Sequence, residues 1–334
     1  MTTQNEQLKS IKTLSIIVSV FNEEKVVKEF YERAKQTLSK IQGYDIQLMF
    51  VNDGSTDNSQ EILQSIVANK TSPFRLKLIE FSRNYGHESA MIAGIDTCDD
   101  NVLICMDSDL QHPLEEIEKM LNAWENGYEI VLMSRKKRHD NGIIKNGFST
   151  LFYKLIDFLS ENRFEKNASD FFLISKNISE ILQNDFRERN RFLRGFIQVI
   201  GFNRIALEYQ SPERFAGKSN YSFKSLSKLG VTAIFAFSNK PLKISLVFSM
   251  VFFIFSVAII IYSLIVYFWG NTQPPAGYTS MIILMSLGFT VLSLMISILS
   301  IYFGRSLDEI RNRPMYLIKS SKTNQTHKTK NNEI

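Results

Sequence analysis

The stretch Met106-Asp-Ser-Asp-Leu-Gln-His-Pro113 offers two carboxylates, Asp107 and Asp109, at i and i+2, with Gln111 close behind. On leaving a strand, such a pair can converge on one divalent cation. Hard oxygen ligands suit Mg²⁺ or Mn²⁺, ions that typically also engage substrate phosphates. The same residues can form a turn and N-cap before a helix that begins near Pro113. Asp53, in Val51-Asn-Asp-Gly-Ser-Thr-Asp57, also follows an apolar run. Its carboxylate can accept hydrogen bonds from the N–H groups of a base, or cap a helix. In Phe81-Ser-Arg-Asn-Tyr-Gly86, Arg83 faces either phosphates or solvent. His87 and His112 lack a spaced partner of the kind a zinc site needs, so neither is assigned to a metal. No Ser-His-Asp set stands out.

Residues so far apart need a scaffold to bring them together. Leu14–Val20, Ile46–Val51, Leu76–Ile79, Val102–Met106 and Ile130–Met133 are short apolar runs that predict strands, with helix-like stretches such as Glu23 to Ile41 between them. That alternation predicts an α/β fold with a parallel sheet covered on both faces. In open sheets of this kind, ligands sit beyond the carboxyl ends of the strands. The polar residues gather there: Asn22 and Glu23, Asp53, Arg83 and Asn84, Asp107 and Asp109, and Arg135. One crevice can hold them all. Further along, Ile143–Leu159 reads as an amphipathic helix, Arg189–Phe202 is basic and aromatic, and Glu213–Tyr221 carries a glycine loop signal.

Over 334 residues, 39 Lys and Arg against 34 Asp and Glu give a net charge of +5. That is short of the clustered excess of a nucleic-acid binder, and no nucleic-acid partner is expected. The charge is also unevenly spread. From Ile244 to Phe303 there is no Asp, Glu, Lys or Arg, and the stretch divides at Gly270-Asn-Thr-Gln-Pro-Pro-Ala-Gly277. As helices, 244–269 and 279–303 would each be roughly 38 Å long, against a hydrocarbon core of about 30 Å. Tyr267, Trp269 and Tyr278 sit at the turn, where an aromatic belt belongs. Lys240 and Lys243 flank one outer end, and Arg305, Arg311 and Arg313 the other. The positive-inside rule then predicts a multi-pass protein of the cell membrane, with both termini in the cytosol and the Pro-Pro turn outside. A buried helical hairpin of a soluble protein is the competing reading. The first apolar run is short and leads straight into Asn22-Glu23-Glu24, so no signal peptide is expected. Cys98 and Cys105 read as buried small hydrophobes in a reducing compartment.

Taken together, the motifs resemble a known family. Ile17-Val-Ser-Val-Phe-Asn-Glu-Glu24, Val51-Asn-Asp-Gly-Ser55, Arg83-Asn-Tyr-Gly-His87, Asp107-Ser-Asp-Leu-Gln-His-Pro113, Arg191-Phe-Leu-Arg-Gly195 and Arg214-Phe-Ala-Gly-Lys-Ser-Asn-Tyr221 follow one another in order. With Ser238-Asn-Lys-Pro-Leu242 leading into the apolar hairpin, the chain is similar, over about residues 12 to 305, to family 2 glycosyltransferases of the GT-A type. Within them it most resembles the polyprenyl-phosphate glycosyltransferases, the undecaprenyl-phosphate glucosyltransferases and dolichol-phosphate mannose synthases. The resemblance implies a GT-A fold over 1–210, a basic juxtamembrane segment over 211–243, two membrane helices within 244–303 and a polar, disordered tail over 304–334.

It also implies roles. Ser19, Phe21, Glu23 and Asp53 would hold the nucleotide, with Arg83 and Ser108 beside it. Asp107 would face the ribose and metal, and Asp109 and Gln111 would ligate Mg²⁺ or Mn²⁺ next to the diphosphate. Arg214 and Lys218 would close over the pyrophosphate, while Arg135, Lys145 and Ser149 would receive the lipid phosphate. Asp170 is a candidate general base, or else orients a basic residue or the acceptor. Relatives often carry Pro at 19, Tyr at 21 and Arg at 172, where this chain has Ser, Phe and Phe.

The expected reaction moves a sugar from a nucleotide sugar, UDP-linked by resemblance, to polyprenyl phosphate at the cytosolic membrane face, with inversion. A phosphate monoester has a second pKa of about 6, so much of it is already a dianion at neutral pH and needs positioning more than proton removal. Partners this chemistry admits, besides the lipid bilayer, are a flippase and a second copy of the chain. Two other readings compete. A polysaccharide synthase would carry Gln-x-x-Arg-Trp, but Gln210 and Arg214 are one residue too far apart and Phe215 stands for Trp. A membrane-tethered nucleotide-sugar sensor would keep the carboxylates without turnover.

Overall fold

Five apolar runs form the strands expected of them. The computed structural model describes residues 11–136, 168–188, 193–212, 240–269 and 277–324. The expected helix at 143–159 and the basic stretch at 213–239 lie outside these residues.

One unit holds an eight-stranded sheet in the order β7-β5-β6-β4-β1-β2-β3-β8. The strands are β1 (Lys12–Val20), β2 (Tyr44–Asn52), β3 (Arg75–Phe81), β4 (Val102–Asp107), β5 (Ile130–Arg135), β6 (Ala168–Ser175), β7 (Arg204–Tyr209) and β8 (Ile318–Thr323). β1 pairs in parallel with β2 and β4, β2 with β3, and β5 with β7. β6 runs antiparallel between β4 and β5, and β8 antiparallel along β3. The sheet is therefore mostly parallel, as the alternation predicts.

Strand β1 is buried on both faces, which is why it reads as a continuous apolar run. On one face Leu14, Ile16, Val18 and Val20 join a core with α1 (Val27–Leu38), α2 (Ser59–Val67) and α4 (Glu116–Glu125). Helix α1 presents Val27, Phe30, Tyr31, Ala34 and Leu38, the spacing of a single helical stripe. On the other face α3 (His87–Asp96) packs so closely on β1 that a Cβ at Gly94 would collide with the Ile17 side chain. The two serines of the run are buried but not orphaned: Ser15 donates to Asp100, and Ser19 meets His87. Both cysteines are free and buried. Two more helices follow the strands, α5 (Lys176–Asn184) and α6 (Leu193–Val199).

The tail departs from its composition. A polar, charge-rich segment predicts disorder, yet Ile318-Lys-Ser-Ser-Lys-Thr323 forms β8 on the exposed edge of β3. Its energy comes from backbone pairing and end anchors rather than from an apolar face: Asn324 accepts from Leu76 N at 2.8 Å, and Ser82 N donates to Leu317 O at 3.0 Å.

The other unit contains two long helices, α7 (Lys240–Trp269) and α8 (Tyr278–Ile310). They touch at Gly288, whose place would put a Cβ 3.3 Å from the Phe252 ring. Helix α8 continues past the expected Phe303 to Ile310. Among the described residues one segment, Leu287–Ile310, is long and apolar enough to cross a membrane, and its apolar stretch is not buried. Phe289 and Phe303 each expose more than half their surface.

Candidate active site

The carboxyl ends of β1, β2 and β4 stand side by side, with Ser19 in register with Val51 on one side and Asp107 on the other. Each strand end delivers one group. Asp53, one residue past β2, is buried, and both its oxygens accept backbone N–H bonds, Oδ1 from Tyr85 at 2.6 Å and Oδ2 from Gly86 at 2.9 Å. Burial pushes its pKa up, partly offset by those two donors. Asp53 thereby clamps the loop after β3, and Gly54 makes the approach possible. Its φ is +66°, and a Cβ there would collide with the Arg83 backbone and sit 2.7 Å from Asn84 N.

The loop carrying Phe21 and Glu23 is stitched to the turn after β2. Asn22 N donates to Ser55 Oγ, Glu23 N to Ser59 Oγ, and Thr56 N to Asn22 Oδ1. Asn22 takes a left-handed conformation to do so. Phe21 is 44% exposed, an apolar ring left open at the rim. Arg83 is exposed too, its guanidinium 4.3 Å from the centre of the Tyr85 ring.

The second focus is a cluster that sequence spacing alone does not reveal. His87, the first residue of α3, has Nδ1 2.7 Å from Ser19 Oγ. Its Nε2 lies 3.3 Å from Asp107 Oδ1 and 3.4 Å from Asp170 Oδ2. Burial works against the charged imidazole, but the two carboxylates outweigh it and raise the His87 pKa to about 9. Asp170, on β6, forms a two-pronged ion pair with Arg194 of α6. Burial would raise the Asp170 pKa, yet His87 and Arg194 hold it well below the usual carboxylate range. Glu88, the next residue of α3, is the counterexample: burial and nearby Asp170 push its pKa up to about 7.

His112 orients Asp107 from behind. Its Nδ1 accepts from Asp107 N at 3.0 Å, so a neutral ring carries its proton on Nε2, which sits 3.8 Å from Asp107 Oδ2. The ring is stacked on Phe171 at 5.1 Å, and burial lowers its pKa. Between these residues Ser108 is buried, Leu110 adopts a φ of +60°, and Asp109 Oδ1 accepts from Gln111 N at 3.0 Å. Asp-x-Asp thus forms the turn the sequence allows, and Asp107 joins a cluster with His87 and Asp170.

His87, Asp107 and Asp170 each offer a ligand atom, all within 4.8 Å of one another, a group able to hold a metal ion. The structure brings together Ser19, Asp107 and Asp170 of the sequence candidates, with Asp53 close enough to feel the charge of His87. Arg135, at the end of β5, donates through Nε to Tyr209 Oη at 3.0 Å. Lys145, Ser149, Arg214 and Lys218 lie outside the described residues, although Ser211, three positions before Arg214, donates to Gln111 O at 3.1 Å. Phe172, where relatives often carry Arg, is buried in the sheet opposite Cys105 and Leu132. Sequence reasoning missed His87, His112 and Arg194 as site residues. The first two stand inside quoted motifs, and Arg194 in Arg191–Gly195, but only the fold supplies their partners.

A mostly parallel sheet with acidic clusters at its strand ends, matched over residues 15–181 by the pattern of Glycosyl transferase family 2, defines the class. The chain belongs to that family, has a GT-A-like α/β fold and is a glycosyltransferase. Its relatives include the glycosyltransferase YkcC of Bacillus subtilis, 34% identical over 92% of this chain and 93% of that protein. The SfII prophage-derived bactoprenol glucosyl transferase of Shigella flexneri is 33% identical over 92% and 98%. A prophage bactoprenol glucosyl transferase homolog of Escherichia coli K12 is 32% identical over 92% and 99%.

Proposed function

We propose that this glycosyltransferase moves a sugar from a UDP-sugar to a polyprenyl phosphate at the cytosolic face of the cell membrane. The observation that carries the proposal is the pairing, in one chain, of the Asp107 cluster with the unburied apolar helix Leu287–Ile310. A polyprenol tail cannot leave the bilayer, so its phosphate is met only at the interface. Relatives named for bactoprenol, aligned over nearly their whole length, support the same acceptor.

The residues fit a divalent cation. Asp107 and Asp109 supply hard oxygen donors, Gln111 can assist, and His87, Asp107 and Asp170 each present a ligand atom, all within 4.8 Å of one another. Bound there, Mg²⁺ or Mn²⁺ would neutralise charge growing on the departing diphosphate. Asp53, with Ser19 and the Phe21–Glu23 loop, binds and orients the nucleoside. His87 lies between Asp107 and Asp170 and holds them at a fixed separation. Asp170 has both oxygens engaged by Arg194 and orients that guanidinium rather than acting as a base. None is required: a phosphate dianion attacks the anomeric carbon directly, the sugar–diphosphate bond breaks, and nucleoside diphosphate leaves with the electron pair. Arg135, Lys145 and Ser149 receive the lipid phosphate, and Arg214 with Lys218 covers the pyrophosphate. A single displacement inverts the anomeric carbon.

The test mixes purified protein, Mn²⁺, undecaprenyl phosphate and a panel of UDP- and GDP-sugars. Nucleoside diphosphate released only when lipid is present supports the proposal. Release that ignores the lipid overturns the acceptor, and binding without release from any donor favours the sensor.

A further inference from the structure

We propose that the chain segment following the apolar helices braces the nucleotide pocket, with Tyr316 as its positioning residue; this rests on the nucleotide-sugar reading above. Tyr316 lies flat on Phe81 at the end of β3, the ring centres 5.2 Å apart and the planes 11° from parallel. Phe81 in turn meets the edge of Tyr85 at 5.7 Å. Tyr85 N is the donor that Asp53 Oδ1 accepts at 2.6 Å. Three rings therefore connect the C-terminal segment to the clamp at the base of the pocket.

The same tyrosine also reaches the far end of α3. Its hydroxyl donates to Asp96 Oδ2 at 2.8 Å, and Asp96 closes α3, the helix into which loop 82–86 leads. Ser82 N, the first amide of the loop, donates to Leu317 O. Tyr316 and its neighbour thus hold the start of a loop whose last two amides, Tyr85 and Gly86, fix Asp53. A second route runs parallel to it. Lys319 and Ser320 donate to Glu80 at 2.6 and 2.8 Å. Glu80 accepts from Gln60 at 2.9 Å, Gln60 accepts from Asn52 at 2.6 Å, and Asn52 Oδ1 accepts from Ser55 N. That relay ends in the turn next to Asp53.

β8 is anchored at both ends, and the anchors at its pocket end, Leu317, Lys319 and Ser320, are the ones that lead to the loop and turn around Asp53. The other end of β8 provides the control, because Asn324 accepts from Leu76 N and donates to Leu76 O and Phe74 O at the far edge, away from the pocket. The experiment measures UDP affinity, with Mg²⁺, on the full-length protein in detergent, together with amide exchange at Tyr85 and Gly86. Tyr316→Ala should weaken UDP binding by roughly three- to tenfold, the worth of one aromatic pair, and speed that exchange. Tyr316→Phe keeps the stack and should bind nearly as the parent does. Tyr316→Leu covers Phe81 without a ring, for the case in which the alanine variant does not fold, and should weaken binding by a smaller factor. Asn324→Ala should lower the melting temperature and leave UDP affinity unchanged. Tyr316→Ala and Tyr316→Leu binding UDP like the parent, or Asn324→Ala weakening it as much as Tyr316→Ala, overturns the brace. A parent protein that binds neither UDP nor GDP defeats the nucleotide-sugar reading instead.

Discussion

Two neighbouring side chains on α3 show how environment divides roles among like groups. His87 gains a proton from the pull of Asp107 and Asp170, whereas Glu88, packed close to Asp170, is pressed toward its neutral form near pH 7. For Glu88 the folded state binds a proton more tightly than the unfolded chain, whose carboxyl titrates at the usual 4.5. Stability therefore falls as pH rises from about 4.5 to 7, and the penalty stays constant above that. Glu88→Gln keeps the shape and removes the charge, so it should stabilise the protein at pH 8 by on the order of 1–3 kcal/mol and hardly at pH 4.5. Thermal melts at both pH values decide this, and an equal shift at each would discard it. Asp109, proposed above as a metal ligand, would contribute through the charge of its carboxylate. Asp109→Asn preserves the turn that Gln111 N closes and should cut transfer at least about a hundredfold with the melting curve intact. Full activity would remove Asp109 from the metal set.

At the level of elements, the parallel strands and their order along the chain are readable because each is a run of buried apolar residues bounded by polar strand ends. β6, β7 and β8 are less so, for separate physical reasons. β6 carries Asp170 in its midst, a charge tolerated only because Arg194 and His87 face it. β7 alternates with one exposed face, and β8 has no apolar face at all. In the same way Asp53, Asp107 and Asp109 are legible as carboxylates at strand ends, while His87 and Arg194 gain meaning only from a helix and a strand distant in sequence. Gly54 tests the contact between the turn after β2 and the loop after β3. Gly54→Ala places a Cβ against Arg83 and Asn84 in a conformation that already costs an L-residue about 1–2 kcal/mol. It should both destabilise the protein and lose most UDP affinity. A variant with parental affinity in a binding titration would mean that the loop after β3 is not part of the pocket.

For the whole molecule, the path of the chain bears on how it meets the membrane. After β7 the chain leaves the sheet, forms α7 and α8, and returns to pair β8 with β3. A single crossing between those points would leave β8 on the wrong side of the bilayer from β3. On the proposal that Leu287–Ile310 crosses the membrane, the number of crossings would have to be even, and α7, 30 residues and roughly 45 Å long, has the length to supply the second. By the positive-inside rule, Lys243 near the start of α7 and Arg305, Arg311 and Arg313 at the end of α8 would then mark the cytosolic side. Cysteine labelling can follow this directly, because Cys98 and Cys105 are buried and give little background to a membrane-impermeant maleimide. Gly277→Cys, in the turn before α8, should label in intact cells. Lys322→Cys, on the exposed face of β8, should label only after the membrane is opened. Labelling of both positions from the same side, in either condition, would rule out a hairpin spanning the bilayer and leave α7 and α8 at its surface.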